Sequence, residues 1–166
     1  PIVGYLHTGM EKTAETLNYA QGSTNVTRMD YLSPFHNELA FSLATEQLLG
    51  IDVPPRADAI RVLMTELNRI ASHLISFGTY GLDLGAFTPF LYAIREREAI
   101  LNVFEKVCGA RLMYSYYDIG GVKWDIPPDA MEEIELFVKL FPKKLAEYKD
   151  LLTDNKIFVE RIANVG

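Results

Sequence analysis

Apolar residues fall at helical spacing in four stretches of the chain, a pattern that lines one face of an α-helix. Leu32, Phe35, Leu39, Leu43 and Leu48 mark the first, over about residues 32–49, and Gly50 stands where a helix stops readily. Ile60, Leu63, Met64, Leu67, Ile70, Ala71, Leu74 and Ile75 mark the second, about 55–79, behind Pro54-Pro55, a pair suited to a first turn. These two helices are expected to face one core. The third stripe, about 88–112, runs through Phe90, Leu91, Ile94, Leu101, Phe104 and Cys108, with the charged run Arg95-Glu96-Arg97-Glu98 through its middle. That run reads as a solvated face or a polar interface. The fourth, about 129–152, uses Ile134, Phe137, Val138, Phe141, Leu145, Tyr148 and Leu152, with Pro142 expected to kink it.

Between the stripes, residues 78–89 hold Gly78, Gly81, Gly85 and Pro89 around the isolated acid Asp83, a pattern that predicts a break between two helices. Tyr114 to Trp124 is aromatic and punctuated by Gly120-Gly121, which predicts a short hairpin or an irregular loop. The expected fold is therefore mainly α: one helical domain over residues 1–166, a bundle with a short β-hairpin or loop excursion.

Composition narrows the function. At 166 residues, 49% hydrophobic and 23% charged, the chain is long and apolar enough for one packed core. A net charge of -6 removes the electrostatic footprint of a broad nucleic-acid surface. No apolar run reaches the roughly 20 residues that cross a bilayer, so membrane contact would come through a partner. The one cysteine, Cys108, excludes an internal disulfide and cannot supply the four thiolates of an iron–sulfur cluster, and it fits a reducing compartment. The chain opens at Pro1 without an initiator Met and closes at Asn164-Val165-Gly166, so it reads as a fragment of something longer.

Local chemistry is sparse. None of His7, His36 and His73 has Glu three residues before it, and HExxH is absent. His7 and Glu11 stand one helical turn apart, which suits a first-turn polar contact better than a metal site lacking further ligands. No GxGxxG or Walker A phrase cradles a phosphate, so NAD would bind elsewhere. Asp83 reads either as the N-cap of the next helix or as a site carboxylate.

A set of phrases is more specific: Gly4-Tyr-Leu-His-Thr-Gly-Met-Glu-Lys12, Arg28-Met-Asp-Tyr-Leu-Ser33, Pro54-Pro-Arg56, Ile60-Arg-Val62, Leu82-Asp-Leu-Gly-Ala86, Arg95-Glu-Arg-Glu98 and Ile119-Gly-Gly-Val122. In this order they resemble the 49 kDa subunit family of respiratory complex I, whose bacterial members are the D subunits, over essentially the whole chain. The resemblance implies the middle of a longer subunit, between an N-terminal β-rich segment and a C-terminal portion. It also implies a fold related to the large subunits of nickel–iron hydrogenases. The function implied is that of the quinone-site subunit of a proton-translocating NADH:quinone oxidoreductase. Its electrons would come from the terminal iron–sulfur cluster of a neighbouring subunit. Quinone would be the substrate; the iron–sulfur clusters and FMN would lie in partner subunits, with no cofactor or metal held by this fragment alone. The partners implied are other complex I subunits, especially the terminal-cluster (B) subunit, the C subunit and the membrane-embedded H subunit. The place implied is the peripheral arm on the cytoplasmic face of the inner (plasma) membrane.

The hydrogenase relationship supplies one alternative function, and a non-catalytic helical scaffold is another. The hydrogenase phrase resembles R-x-C-G-x-C-P, whereas this chain reads Arg28-Met29-Asp30-Tyr31-Leu32-Ser33-Pro34. Asp30 and Ser33 stand at the cysteine positions, and nickel and iron there need thiolates, so the quinone-reducing branch is favoured.

By the same resemblance, Tyr31 matches the tyrosine that hydrogen-bonds the quinone head group. Asp83 matches the acid that couples to a histidine on an upstream loop outside this sequence, a role not transferred to His7 or His36. Arg28 matches an arginine close to the partner's terminal cluster; a salt bridge with Asp30 or another acid is its plainer alternative. The chain departs from its relatives at Met113, where some have His, and at Asp118, where Arg is common.

Overall fold

The computed structural model describes residues 1–165. Two short helices come first, α1 (Met10–Ala14) and α2 (Tyr19–Val26). The hydrophobic pattern is silent on both, because α1 buries no residue and α2 buries only Gly22 and Ser23. Capping opens α2 instead: Asn18 and Gln21 exchange side-chain-to-backbone hydrogen bonds of 2.9 and 3.1 Å.

The long helices are α3 (Pro34–Leu49), α4 (Pro55–Asp83), α5 (Phe87–Cys108) and α6 (Pro128–Tyr148). α3, α4 and α6 carry proline in the first turn, where its missing N–H would have had no helical partner. Gly50 and Gly109, both left-handed, end α3 and α5. A two-residue antiparallel ladder lies between α5 and α6: β1 (Tyr117–Asp118) pairs with β2 (Gly121–Val122), Tyr117 opposite Val122. The chain closes with α7 (Lys156–Ile162).

The core sits where α3, α4, α5, α6 and the hairpin meet. Phe35 is wholly buried at its centre, stacked on Tyr114 at 4.2 Å and Tyr117 at 5.0 Å, with Phe104 edge-on at 5.1 Å. α4 and α5 form a long helical hairpin joined by residues 84–86.

Several expectations are corrected here. The break expected within residues 78–89 falls at 84–86, so α4 runs past its expected end near residue 79 to Asp83. Gly78 instead lets α5 approach, since a Cβ there would stand 3.1 Å from the Phe90 backbone and 3.3 Å from the Ala93 side chain. α5 stops at Cys108 rather than near residue 112, because Gly109 turns the chain. The first stripe holds at its start, where Phe35 is buried and Leu39 packs on the core, and fails beyond it: Leu43 and Leu48 are exposed, and α3 buries Glu38, Ser42, Thr45 and Glu46 instead. Leu91, Ile94, Val138 and Leu145 also face outward. Pro142 lies inside α6, which continues to Tyr148 and then widens into a π turn over Lys149–Thr153.

Candidate functional site

Tyr31 stands on the turn between α2 and α3 and is 57% exposed. The turn is closed by Ser33 N–H donating to the Asp30 carbonyl at 3.1 Å, with Tyr31 and Leu32 at its centre. The Asp30 carboxylate accepts the Leu32 N–H at 3.1 Å, and Asn37 Nδ2 reaches the Asp30 carbonyl at 3.0 Å. Ser33 contributes its own carbonyl to His36 N–H at 3.0 Å. The two positions that are cysteines in the hydrogenase phrase thus build the turn that presents Tyr31.

Arg28 lies just past the end of α2. Its Nη1 donates to the Thr24 carbonyl at 2.5 Å and to Thr27 Oγ1 at 3.0 Å, and the residue is exposed. Among the described residues no ion pair joins it to Asp30 or another acid.

Beneath the turn lies a polar seam that the stripes did not reveal. Asn68, 1% exposed, donates through Nδ2 to the Leu32 carbonyl at 3.2 Å and accepts the Phe35 N–H through Oδ1 at 3.1 Å. Glu38, fully enclosed, accepts from the Ser23 hydroxyl and from the Tyr116 N–H, each at 3.0 Å, tying α2 and the hairpin to α3. Burial pushes the Glu38 carboxyl up to about 7 despite those donors. Further along α3, Glu46 is gripped by Arg61 of α4 with two bonds of 2.6 and 3.0 Å. The same guanidinium donates to the carbonyls of Asp118 at 2.7 Å and Gly121 at 2.9 Å, while Glu46 accepts the Gly120 N–H at 2.7 Å. Arg61 holds the Glu46 carboxyl below its usual range. The hairpin is therefore clamped through its backbone, and the Asp118 side chain takes no part in the clamp. Met113 takes a left-handed φ of 54° where the chain turns from α5 toward the hairpin.

Asp83 is the last residue of α4, exposed, and it caps nothing: α5 begins after Ala86 with no side-chain cap. The N-cap reading is overturned. The turn behind Asp83 is held instead by Arg161 of α7, whose Nη1 donates to the Leu84 carbonyl and lies against Gly85. Gly85 has φ +85°, and a Cβ there would meet Arg161 Nη1 at 2.5 Å.

Tyr31 and Asp83 share no hydrogen bond. Asp83 follows Asn68 by fifteen residues, about 22 Å of helix rise and about 60° away from whole turns. Asp83 is thus not brought together with the Tyr31 turn, and the half-buried Ser72, Ile75 and Thr79 lie along α4 between Asn68 and it. A cavity of about 560 Å³ between α4 and α6 lies on another flank, lined by Ile70, His73, Phe77, Tyr80, Phe141 and Leu145, and touches neither Tyr31 nor Asp83.

His7 and Glu11 meet at 3.3 Å as an exposed polar pair. The 95–98 run is a polar interface: Arg95 pairs with Glu96 at 2.5 Å and reaches Glu147 of α6 at 3.6 Å, and Glu98 pairs with Arg111. Among the described residues no three His, Cys, Asp or Glu side chains converge to hold a metal. None of the described helices is long and apolar enough to cross a membrane. Burial pushes the Cys108 thiol up to about 11, and its Sγ donates to the Phe104 carbonyl at 2.9 Å.

The polar seam had a sequence signal, since Phe35, Glu38, Ser42, Thr45 and Glu46 keep a helical period while Arg61, Thr65 and Asn68 continue the edge of an apolar stripe. Polar residues spaced like core residues are easily read as solvent-facing.

Residues 83–166 match the family described as "Respiratory-chain NADH dehydrogenase, 49 Kd subunit", and the chain belongs to that family. Among its relatives, a D-type subunit of the NADH-quinone oxidoreductase of Chloroflexus aurantiacus is 51% identical over all 166 residues of this chain and 40% of its own length. The corresponding D subunits of Geobacillus thermodenitrificans and Thermus thermophilus are each 52% identical over the whole chain, which covers 45% and 41% of them. The chain thus spans less than half the length of the relatives it matches.

Proposed function

We propose that this chain forms one wall of the quinone-reduction site of an NADH:quinone oxidoreductase. Membership of the 49 kDa subunit family supports this, as do relatives named for a quinone-reducing enzyme. The observation that carries the reading is Tyr31, an exposed phenol on a turn braced by a buried polar seam. Its hydroxyl would donate to a quinone carbonyl while its ring packs on the apolar ring system.

Reduction to quinol takes two electrons and two protons. In this reading the electrons come from the terminal iron–sulfur cluster held by the neighbouring B subunit, with Arg28 at the end of α2 turned toward it. Asp83, at the far end of α4, would couple proton delivery through a histidine upstream of residue 1. The C subunit and the membrane-embedded H subunit would complete the surroundings, placing the chain in the peripheral arm on the cytoplasmic face of the inner (plasma) membrane. The fold would be a single helical domain over 1–166, akin to the nickel–iron hydrogenase large subunit, with the thiolate positions given over to the Tyr31 turn.

The test is Tyr31→Phe in the assembled complex. Quinone reduction should fall while NADH oxidation by an artificial acceptor at the upstream flavin continues. Equal loss of both would indicate failed assembly, and unchanged quinone reduction would remove Tyr31 from the site.

A further inference from the structure

Resting on the reading that Tyr31 meets the quinone, we propose that Asn68 is the positioning residue that sets where the Tyr31 hydroxyl stands. Among the described residues that hydroxyl makes no hydrogen bond, so its place is decided by the backbone beneath it. The bonds within the turn, Ser33 N–H to the Asp30 carbonyl and Leu32 N–H to the Asp30 carboxylate, give it shape but do not attach it to the bundle. Asn37 of α3 ties the start of the turn through its bond to the Asp30 carbonyl, while attachment to α4 on the far side of Tyr31 comes from one buried amide. Asn68 donates to the carbonyl of Leu32, the residue next to Tyr31, and accepts the N–H of Phe35 in the first turn of α3.

Those partners lie on either side of Ser33-Pro34, so a single side chain on α4 spans the junction between turn and helix. Phe35, locked among Tyr114, Tyr117 and Phe104, holds the helical side of that junction still. Only a group that both donates and accepts serves the two partners together. Aspartate keeps the Phe35 bond but sets a carboxylate against the Leu32 carbonyl, and leucine, close in size, removes both bonds. Small displacements of a positioning contact lower reactivity steeply, and about a tenfold loss of kcat/KM for quinone is expected when the strap is cut.

The experiment compares wild type, Tyr31→Phe, Asn68→Leu, Asn68→Asp and the double variant Tyr31→Phe/Asn68→Leu in the assembled complex. It measures kcat and KM for a short-chain quinone, normalised to artificial-acceptor NADH oxidation in the same preparation. Both Asn68 variants should lose quinone kcat/KM with acceptor activity intact, and Asn68→Leu should add nothing in the Tyr31→Phe background. Independent, multiplicative losses in the double variant would overturn the proposal, as would normal quinone kinetics in Asn68→Leu. Failure of both Asn68 variants to assemble would overturn it too, by making Asn68 a fold residue. Failure of the underlying reading looks different: Tyr31→Phe is then itself normal.

Discussion

Glu38 is enclosed on every side yet keeps an ionisable group near neutrality, and this has a signed consequence for stability. In the unfolded chain it ionises near 4.5, whereas in the fold burial lifts it to about 7. Between those values the folded state holds a proton that the unfolded state has released, so its contribution to stability falls as pH rises from about 4.5 to about 7 and is level above. Each unit of separation corresponds to about 1.4 kcal/mol. Glu46 acts in the opposite sense and elsewhere, since a depressed carboxyl loses its contribution only as pH falls below its usual range. Glu38→Gln in the full-length protein should therefore flatten the fall in melting temperature between pH 5 and pH 7; an unchanged slope would assign it to other groups. Asp83 allows a cleaner separation. Because it is exposed and caps no helix, Asp83→Asn should change stability by less than about 0.5 kcal/mol. A lowered quinone-reduction rate or a shifted pH profile at an unchanged melting temperature then reports on the site, and a normal rate and profile would release Asp83 from it.

Among the elements, the hairpin of β1 and β2 depends most on others. Two residues per strand cannot stand alone in water, and its backbone is gripped by the Arg61–Glu46 pair. Arg61→Met should leave Glu46 buried without its partner and free the carbonyls of Asp118 and Gly121, at a cost of about 3–5 kcal/mol. Hydrogen exchange at residues 117–122 should quicken beyond the rest of the bundle, and uniform protection there would show that the clamp is dispensable. Legibility follows the same division. The four long helices were readable because Ile60, Met64, Leu67, Ala71 and Leu74 are buried at the spacing their sequence shows. α3 was readable as a helix but not in its orientation, because its inward face is held by hydrogen bonds of Glu38 and Glu46 to a hairpin some 75 residues away. Tyr31, Arg28 and Asp83 were legible only through neighbouring phrases. Their exposure reflects no local rule, and the amide beneath Tyr31, though it stands at the edge of the α4 stripe, is a polar residue that periodicity does not separate from solvent-facing ones.

As a whole molecule the chain exposes 10408 Å², against about 8,300 Å² expected of a folded monomer of 18.8 kDa. The excess, roughly 2,000 Å², matches the area of a substantial protein interface. It includes Ile2, Val3, Tyr5 and Leu6 at one end and Leu136, Val138, Leu140 and Leu145 along α6. The isolated 166-residue chain should therefore self-associate at micromolar concentration, seen by sedimentation, and should not oxidise NADH. A stable monomer in that range would mean the apolar faces are tolerated in water, and NADH oxidation by the pure chain would defeat the functional assignment. The two arms of the candidate site also differ in how far along the chain their supports lie. The Tyr31 turn is tied to α4 by Asn68, 36 residues beyond Leu32, whereas the turn behind Asp83 waits for Arg161, 77 residues beyond Leu84. On a ribosome adding residues one by one, Arg161 emerges roughly 90 residues after Asn68, about 5–20 s later at ordinary synthesis rates. Tyr117, the last of the aromatic residues that lock Phe35, still precedes Arg161 by 44 residues, so the nascent polypeptide has every support of the tyrosine arm before it has the one behind Asp83.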